Sequence, residues 1–400
     1  MHQAWLRLFS LKGISVVQKR MLVRRFGGIA ALFNDQIPVP PPPTDDEAEF
    51  EFSDQSQEIQ ASSLPPRVLN GLVEKVRASP SSDARQWSET LETIGAGFIG
   101  FDNPDFPDAL NRISDPPLGL FYIGRVELLK SHQLAIIGSR NPSPSGRKTT
   151  MAFARELGTF GFTITSGMAC GIDSDAHNGC LSGSGYTIAV VGTGLDIVYP
   201  RSNQALFRSI CESGLVVSEY PPGTPARKAH FPQRNRLISG LSLGTLVVEA
   251  GLRSGSLITA RLAAEQGKEV FAIPGSIHVP TSRGCHYLIR QGAKLVESLT
   301  DIIEEFGQYD LAPAFSSANR TLPESNPELP QSSLIPEAFR ENEDHLLALI
   351  DHAPVSLDEL IERSGLTLEE ISSILMDLEL RGLVADTANG YQRLPDTRGL

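Results

Sequence analysis

The sequence predicts an α/β protein organised around a parallel sheet with helices on both faces. Three observations carry that reading. From residue 131 onward, short apolar runs alternate with segments of helical length. The runs are apolar at successive positions, as strands buried on both faces must be. Most of them end on Gly, Ser or a charged residue, which suits strand ends that open onto a ligand crevice.

The elements follow in order. A strand at 134–137 ends at Gly138-Ser139-Arg140, and a helix follows at 149–159. A strand at 162–165 ends at Ser166-Gly167, before a helix at 173–181. The strand at 186–191 ends at Gly192-Thr193-Gly194, before a helix at 203–212. Strands at 215–217 and 243–248 end at Ser218-Glu219 and at Glu249; a helix at 256–266 leads to a strand at 270–273. A helix at 283–291, a strand at 293–296 and a helix at 299–306 complete a domain taken as 96–308. Arg140, Ser166, Gly167, Gly194, Glu219 and Glu249 should then share one rim. The helix opening at Ser254-Gly255-Ser256 would present free N–H groups there, an anion site. Either serine would equally serve as an ordinary N-cap.

Residues 1–95 read as a helical domain. Short helices in 3–33 are broken at Gly13 and at Gly27-Gly28, like a helix-hairpin-helix unit, and packing is the simpler role for it. The 38–60 insert has five prolines in 38–43, then seven acids in 44–60. The proline run can be neither helix nor central strand, and the acidic part reads as a disordered or loosely held insert. Helices at 65–78 and 87–94 and strands at 98–101 and 118–123 bridge to the main domain. A linker rich in Pro, Ser and Asn, 309–339, leads to a last domain at 340–395. Helices at 344–351, 357–364 and 368–381 and a hairpin across Asn389-Gly390 suggest a winged helix there. Such modules usually set the last helix in a DNA groove. This one carries Glu369, Glu370, Asp377 and Glu379 against Arg381, which favours a protein contact or plain packing.

At 400 residues the chain exceeds one compact core. It has no apolar run of about 18 residues or more and no secretory signal at its start. Four cysteines lie far apart without metal spacing. A cytoplasmic protein with reduced thiols and no membrane contact is expected. The net charge of −12 argues against nucleic acid until it is mapped. Residues 131–300 carry 16 Lys+Arg against 10 Asp+Glu, and local charge governs phosphate binding.

The densest cations are Arg227, Lys228, Arg234 and Arg236, grouped around Phe231. Guanidinium groups pair with phosphates, and an aromatic ring offers a face for a base. The competing reading makes Phe231 a core residue and the arginines internal ion-pair partners. If about four phosphates are neutralised, the salt slope should be near −3.

Signatures of catalysis are missing. Ser145-Gly146-Arg147-Lys148-Thr149 looks like a phosphate loop, but Arg147 separates Gly from Lys. Gly192-Thr193-Gly194 lacks the third glycine of a dinucleotide fingerprint. No base is evident for Ser166 or Cys170, because His177 and His230 read as surface or capping residues. Asp173, Asp175 and His177 suit a helix N-terminus better than a metal. No catalytic residue, cofactor or metal is expected.

Several segments, in fixed order, resemble the DNA-processing protein A family (DprA/Smf). They are Ile137 to Arg140, Ser166-Gly167 through Asp173, Gly192 to Asp196, Tyr199-Pro200, Ser218 to Pro221, Phe231 to Arg236, Val248 to Ala250, Ser254 to Ser256 with Thr259-Ala260, and Ile273 to Gly275. The resemblance implies an extended Rossmann-like domain that binds single-stranded DNA. It implies a helical N-terminal unit of the SAM or helix-hairpin-helix kind, and a C-terminal winged helix. It also implies a homodimer, not an enzyme, that protects incoming DNA and loads the RecA recombinase in natural transformation. By motif, Arg140 matches the family's backbone-binding arginine, Lys228 its phosphate-contacting lysine and Phe231 its stacking aromatic. The implied DNA-binding set is Gly138, Ser139, Arg140, Ser166, Gly167, Gly194, Lys228, Phe231, Arg234, Asn235, Arg236, Ser254, Gly255 and Ser256. Two alternatives share the sheet. One is a phosphoribohydrolase-like enzyme, suggested by Gly244-Thr245 and Glu249, although Gly240-Leu241-Ser242 replaces that family's Pro-Gly-Gly. The other is a nucleotide sensor.

Overall fold

A sheet whose strand order is β1-β2-β6-β5-β4-β3-β7-β8-β9 forms the centre of the protein. The computed structural model describes residues 2–40, 65–79, 82–307, 345–350, 353–367, 371, 374–375, 378–379, 383–387 and 390–394. Residues 41–60 of the expected insert, the 309–339 linker and much of the expected 368–381 helix lie outside the described residues.

Strands β3 (Gln133–Ile137), β4 (Thr163–Ser166), β5 (Thr187–Val191), β6 (Leu215–Ser218), β7 (Gly244–Val247), β8 (Glu269–Ala272) and β9 (Lys294–Leu295) run parallel. Every residue of β3 and β5 is buried, because helices cover both faces. The edge beyond β6 is antiparallel, made by β2 (Gly119–Gly124) and β1 (Gly97–Gly100). From β3 the chain winds through β4, β5 and β6 to one side, then returns to lay β7, β8 and β9 on the other. The reversal lies between β3 and β7, and a crevice opens beyond their carboxyl ends.

The helix after β3, Pro144–Phe160, starts five residues before the apolar period that announces it. Ser143 caps it by accepting from the Gly146 amide at 3.0 Å, with Pro144 in the first turn. The phosphate-loop look-alike is therefore the polar first turn of an ordinary helix.

The N-terminal helices, His2–Ser10, Val16–Arg25 and Ile29–Leu32, share the core of the sheet. Trp5 packs on Phe98 with centroids 5.9 Å apart, and Phe98 on Phe121 at 4.9 Å. Arg20 is fully buried. Its guanidinium donates to the Pro117 carbonyl at 2.8 Å and to Asn111 Oδ1 at 2.9 Å, and lies 4.0 Å from the Phe101 ring centroid. A buried cation survives only with such partners. This unit packs on β1 and β2 through its aromatic rings, and Arg20 ties it to the segment between those strands.

The C-terminal module has a core of its own, with Leu346, Ile350, Leu360, Ile371 and Leu378 in it. Helix Leu357–Ser364 ends at Gly365 in the left-handed conformation. Strands β10 (Val384–Thr387) and β11 (Gly390–Arg393) form the hairpin of a winged helix. No helix among the described residues is long and apolar enough to cross a membrane.

Candidate functional site

The cation-rich segment forms a helix, His230–Leu241, which the sequence reading did not anticipate. Arg234, Leu237, Ile238 and Leu241 are all buried, at the i, i+3, i+4 and i+7 spacing of a helix face. The period was hidden because an arginine fills the first core position.

Arg234 is only 5% exposed. Its Nη1 donates to the carbonyls of Gly167 and Val190, at the carboxyl ends of β4 and β5. A side chain at position 167 would meet that guanidinium and the Asp173 carboxylate at 2.7 Å and push them aside, which glycine avoids. Burial lowers the Arg234 pKa to about 10; Asp173 opposes that shift and Arg140 adds to it. Asp173 is pushed up by burial and partly held down by Arg234. Arg236 is also engaged, with Glu219 at 2.7 Å and Asp115 at 2.9 Å. These two arginines thus correct the expected cluster: they brace the strand ends and are not free for a phosphate.

What remains at the rim is smaller and clearer. Phe231 is half-buried, with its Cδ1 3.4 Å from where a Cβ on Gly192 would stand. The Arg140 guanidinium lies 6.0 Å from the Phe231 centroid, and the Tyr199 ring 5.6 Å from it. Arg227 and Lys228 are exposed in the turn that leads into the helix. No carboxylate pairs with Arg140, Arg227 or Lys228 among the described residues. Glu219 is held by Arg236, and Glu249 accepts from the Ser143 amide at 3.1 Å and from its hydroxyl. Neither carboxylate offsets the cations around the ring.

Other expected residues shape the backbone. The Ser166 hydroxyl is buried and donates to the Ile136 carbonyl at 2.6 Å, so it does not face solvent. Ser256 donates to the Gly138 carbonyl at 2.8 Å, and Ser254 accepts from the Ser256 amide at 3.2 Å. The cap reading of Ser254 therefore holds, and the helix Gly255–Glu265 begins beside the end of β3. Ser139 Oγ accepts from the Asn141 amide at 3.1 Å, which shapes the turn that carries Arg140. The Gly194 amide donates to the Thr224 carbonyl at 2.9 Å. Asn235 is half-buried and Gly255 exposed.

His177 is a further correction. It is completely buried, with Nδ1 2.6 Å from Thr187 Oγ1, and burial lowers its pKa to about 3. It is a neutral core residue, not a surface one. Asp173 and Asp175 do stand in the first turn of the helix Ile172–Ser182. Among the described residues, no three His, Cys, Asp or Glu side chains gather as metal ligands would. Gly244 and Thr245 open β7, while Glu249 lies past its other end. Four residues along a strand span about 13 Å, so this run does not gather into one pocket. Tyr199 lies in a matched segment, Tyr199-Pro200, but outside the DNA-binding set that the resemblance implies; its ring stands against Phe231.

Two family models match the chain. Residues 97–307 match the one described as DNA recombination-mediator protein A, and residues 327–390 the DprA winged helix domain. Protein Smf of Escherichia coli (strain K12) is 43% identical over 307 residues, 76% of this chain and 79% of that protein. DNA processing protein DprA of Streptococcus pneumoniae (strain ATCC BAA-255 / R6) is 49% identical over 201 residues, 50% of this chain and 71% of that one. The X-ray structure of DprA from Streptococcus pneumoniae has a TM-score of 0.61 and 34% identity, covering 76% of this chain and 98% of that one.

Proposed function

The chain belongs to the DNA recombination-mediator protein A family, and on that premise we propose that it binds single-stranded DNA at the carboxyl edge of its sheet. The carrying observation is the half-exposed Phe231 ring, with Arg140 6.0 Å from it and uncompensated Arg227 and Lys228 just before it. Cations hold the phosphates of an unpaired strand while the ring stacks a base, and neither contact reads sequence. Gly138, Ser139, Gly167, Gly194, Ser254 and Ser256 act through the backbone they shape. The activity is binding rather than catalysis.

Phe231→Ala tests this directly. Its affinity for a dT oligomer should fall by about 1–3 kcal/mol, the range for one stacked base. Affinity for a duplex should change little, because paired bases cannot stack on the ring. Fluorescence anisotropy on both ligands decides, and an equal loss on each would remove the stacking role.

The bound strand is then protected and handed to the RecA recombinase, a step that family membership supports. RecA filament assembly that runs equally fast with and without the protein would remove it. The active form is a homodimer. Ile277 is 72% exposed, and Leu252, Ile258 and Tyr287, on the elements around it in sequence, are exposed too. Ile277, the most exposed of them, is the side chain we assign to the dimer surface. Ile277→Glu should shift the protein toward monomer in sedimentation velocity; an unchanged dimer would place the interface elsewhere.

A further inference from the structure

Tyr199 stands just past the glycine turn that ends β5, before the short helical turn Arg201–Asn203. Its side chain is 48% exposed. Phe160 and Tyr287 are exposed as well, but Tyr199 is the exposed ring that lies against Phe231. No hydrogen bond holds the Tyr199 hydroxyl among the described residues. The ring lies 5.6 Å from Phe231, centroid to centroid, with the planes 40° apart.

That geometry decides how bases could use the pair. A base sandwiched between two rings needs a contact of about 3.5 Å on each side, so about 7 Å in all. At 5.6 Å and a 40° tilt the gap is too narrow and wedge-shaped. The two rings can serve only as neighbouring platforms, one base to each. A strand stacked as in B-form DNA advances about 3.4 Å per nucleotide. The step between the rings is longer, so a strand that uses both must be unstacked and stretched across them. A duplex cannot do this without losing its pairing.

We propose that Tyr199 is a second stacking platform, so that the site takes two successive unpaired bases. Arg140, 6.0 Å from the Phe231 ring, supplies a cation beside the first of the two platforms. The inference rests on the single-strand reading above and adds a requirement to it. The preferred ligand is a continuous stretched strand with two adjacent bases, not a mononucleotide or a bare sugar-phosphate chain.

The test uses the full chain with Tyr199→Ala, Tyr199→Phe and Phe231→Ala. The ligands are a dT oligomer and an abasic oligomer of the same length. Tyr199→Ala should weaken dT binding by about 5- to 150-fold, the span expected of one stacked base. Tyr199→Phe should match wild type, because the ring and not the hydroxyl carries the contact. On the abasic oligomer all three variants should bind as wild type does. If Tyr199→Ala binds dT normally while Phe231→Ala does not, the second platform is wrong and the single-strand reading stands. If neither change affects dT binding, neither ring stacks a base, and both the second platform and the placement of the strand at Phe231 are overturned. Equal weakening of Tyr199→Ala on dT and abasic ligands would show damage to the loop and overturn the stacking role.

Discussion

Arg234→Ala is expected to destabilise the central domain by about 3–5 kcal/mol, the cost of removing one partner from a buried charge pair. The residue lies in the cation-rich segment, so a surface reading would expect only weaker DNA binding. Its position dictates otherwise. The guanidinium reaches the Gly167 and Val190 carbonyls and tempers the buried Asp173. Without it, two strand-end carbonyls lose their donor, the buried Asp173 carboxyl keeps its Ala169 amide but loses a nearby positive charge, and a cavity opens under the rim. Denaturant unfolding should show a lower midpoint with an unchanged slope. Arg234→Met with Asp173→Asn should recover part of the loss, since the orphaned charge is then gone. Unchanged stability together with weaker DNA binding would mean that Arg234 faces ligand after all.

Arg140→Ala combined with Lys228→Ala should have the opposite profile. Neither side chain is paired with a carboxylate among the described residues, so the fold should hold its stability. Each charge-assisted contact to a phosphate contributes on the order of 10- to 100-fold in affinity at low salt. The double variant should therefore lose about two to four orders of magnitude on single strands. Its salt dependence should flatten as well. Three free cations, Arg140, Arg227 and Lys228, predict a slope of about −2, and one predicts about −0.7. A slope near −3 would need Arg234 or Arg236 as well, and the fold has engaged both. An affinity loss with an unchanged slope would show that the substitutions act on the shape of the rim.

The sequence made the sheet legible because strands covered on both faces are apolar throughout, as β3 and β5 are. It also announced the rim, since glycines and polar residues follow each strand. It could not show which cations of the 227–236 run stay free. Arg236 is held by Asp115, 121 residues earlier in the chain, and Arg234 by carbonyls from two other strands. Such partners leave no local trace. The same holds for Arg20, whose acceptor at Pro117 is 97 residues away. A polar ring such as His177 reads as solvent-facing from sequence, because its Thr187 partner lies on strand β5. The repeat of the helix His230–Leu241 is masked in the sequence because the charged Arg234 sits at a core position.

Titrating the wild-type protein with a dT oligomer and with a duplex of equal length, at several salt concentrations, tests the central claim most directly. Free cations beside an accessible ring predict tighter binding to the dT oligomer and a logarithmic salt slope of about −2. Equal affinity for both ligands, or binding indifferent to salt, would contradict it.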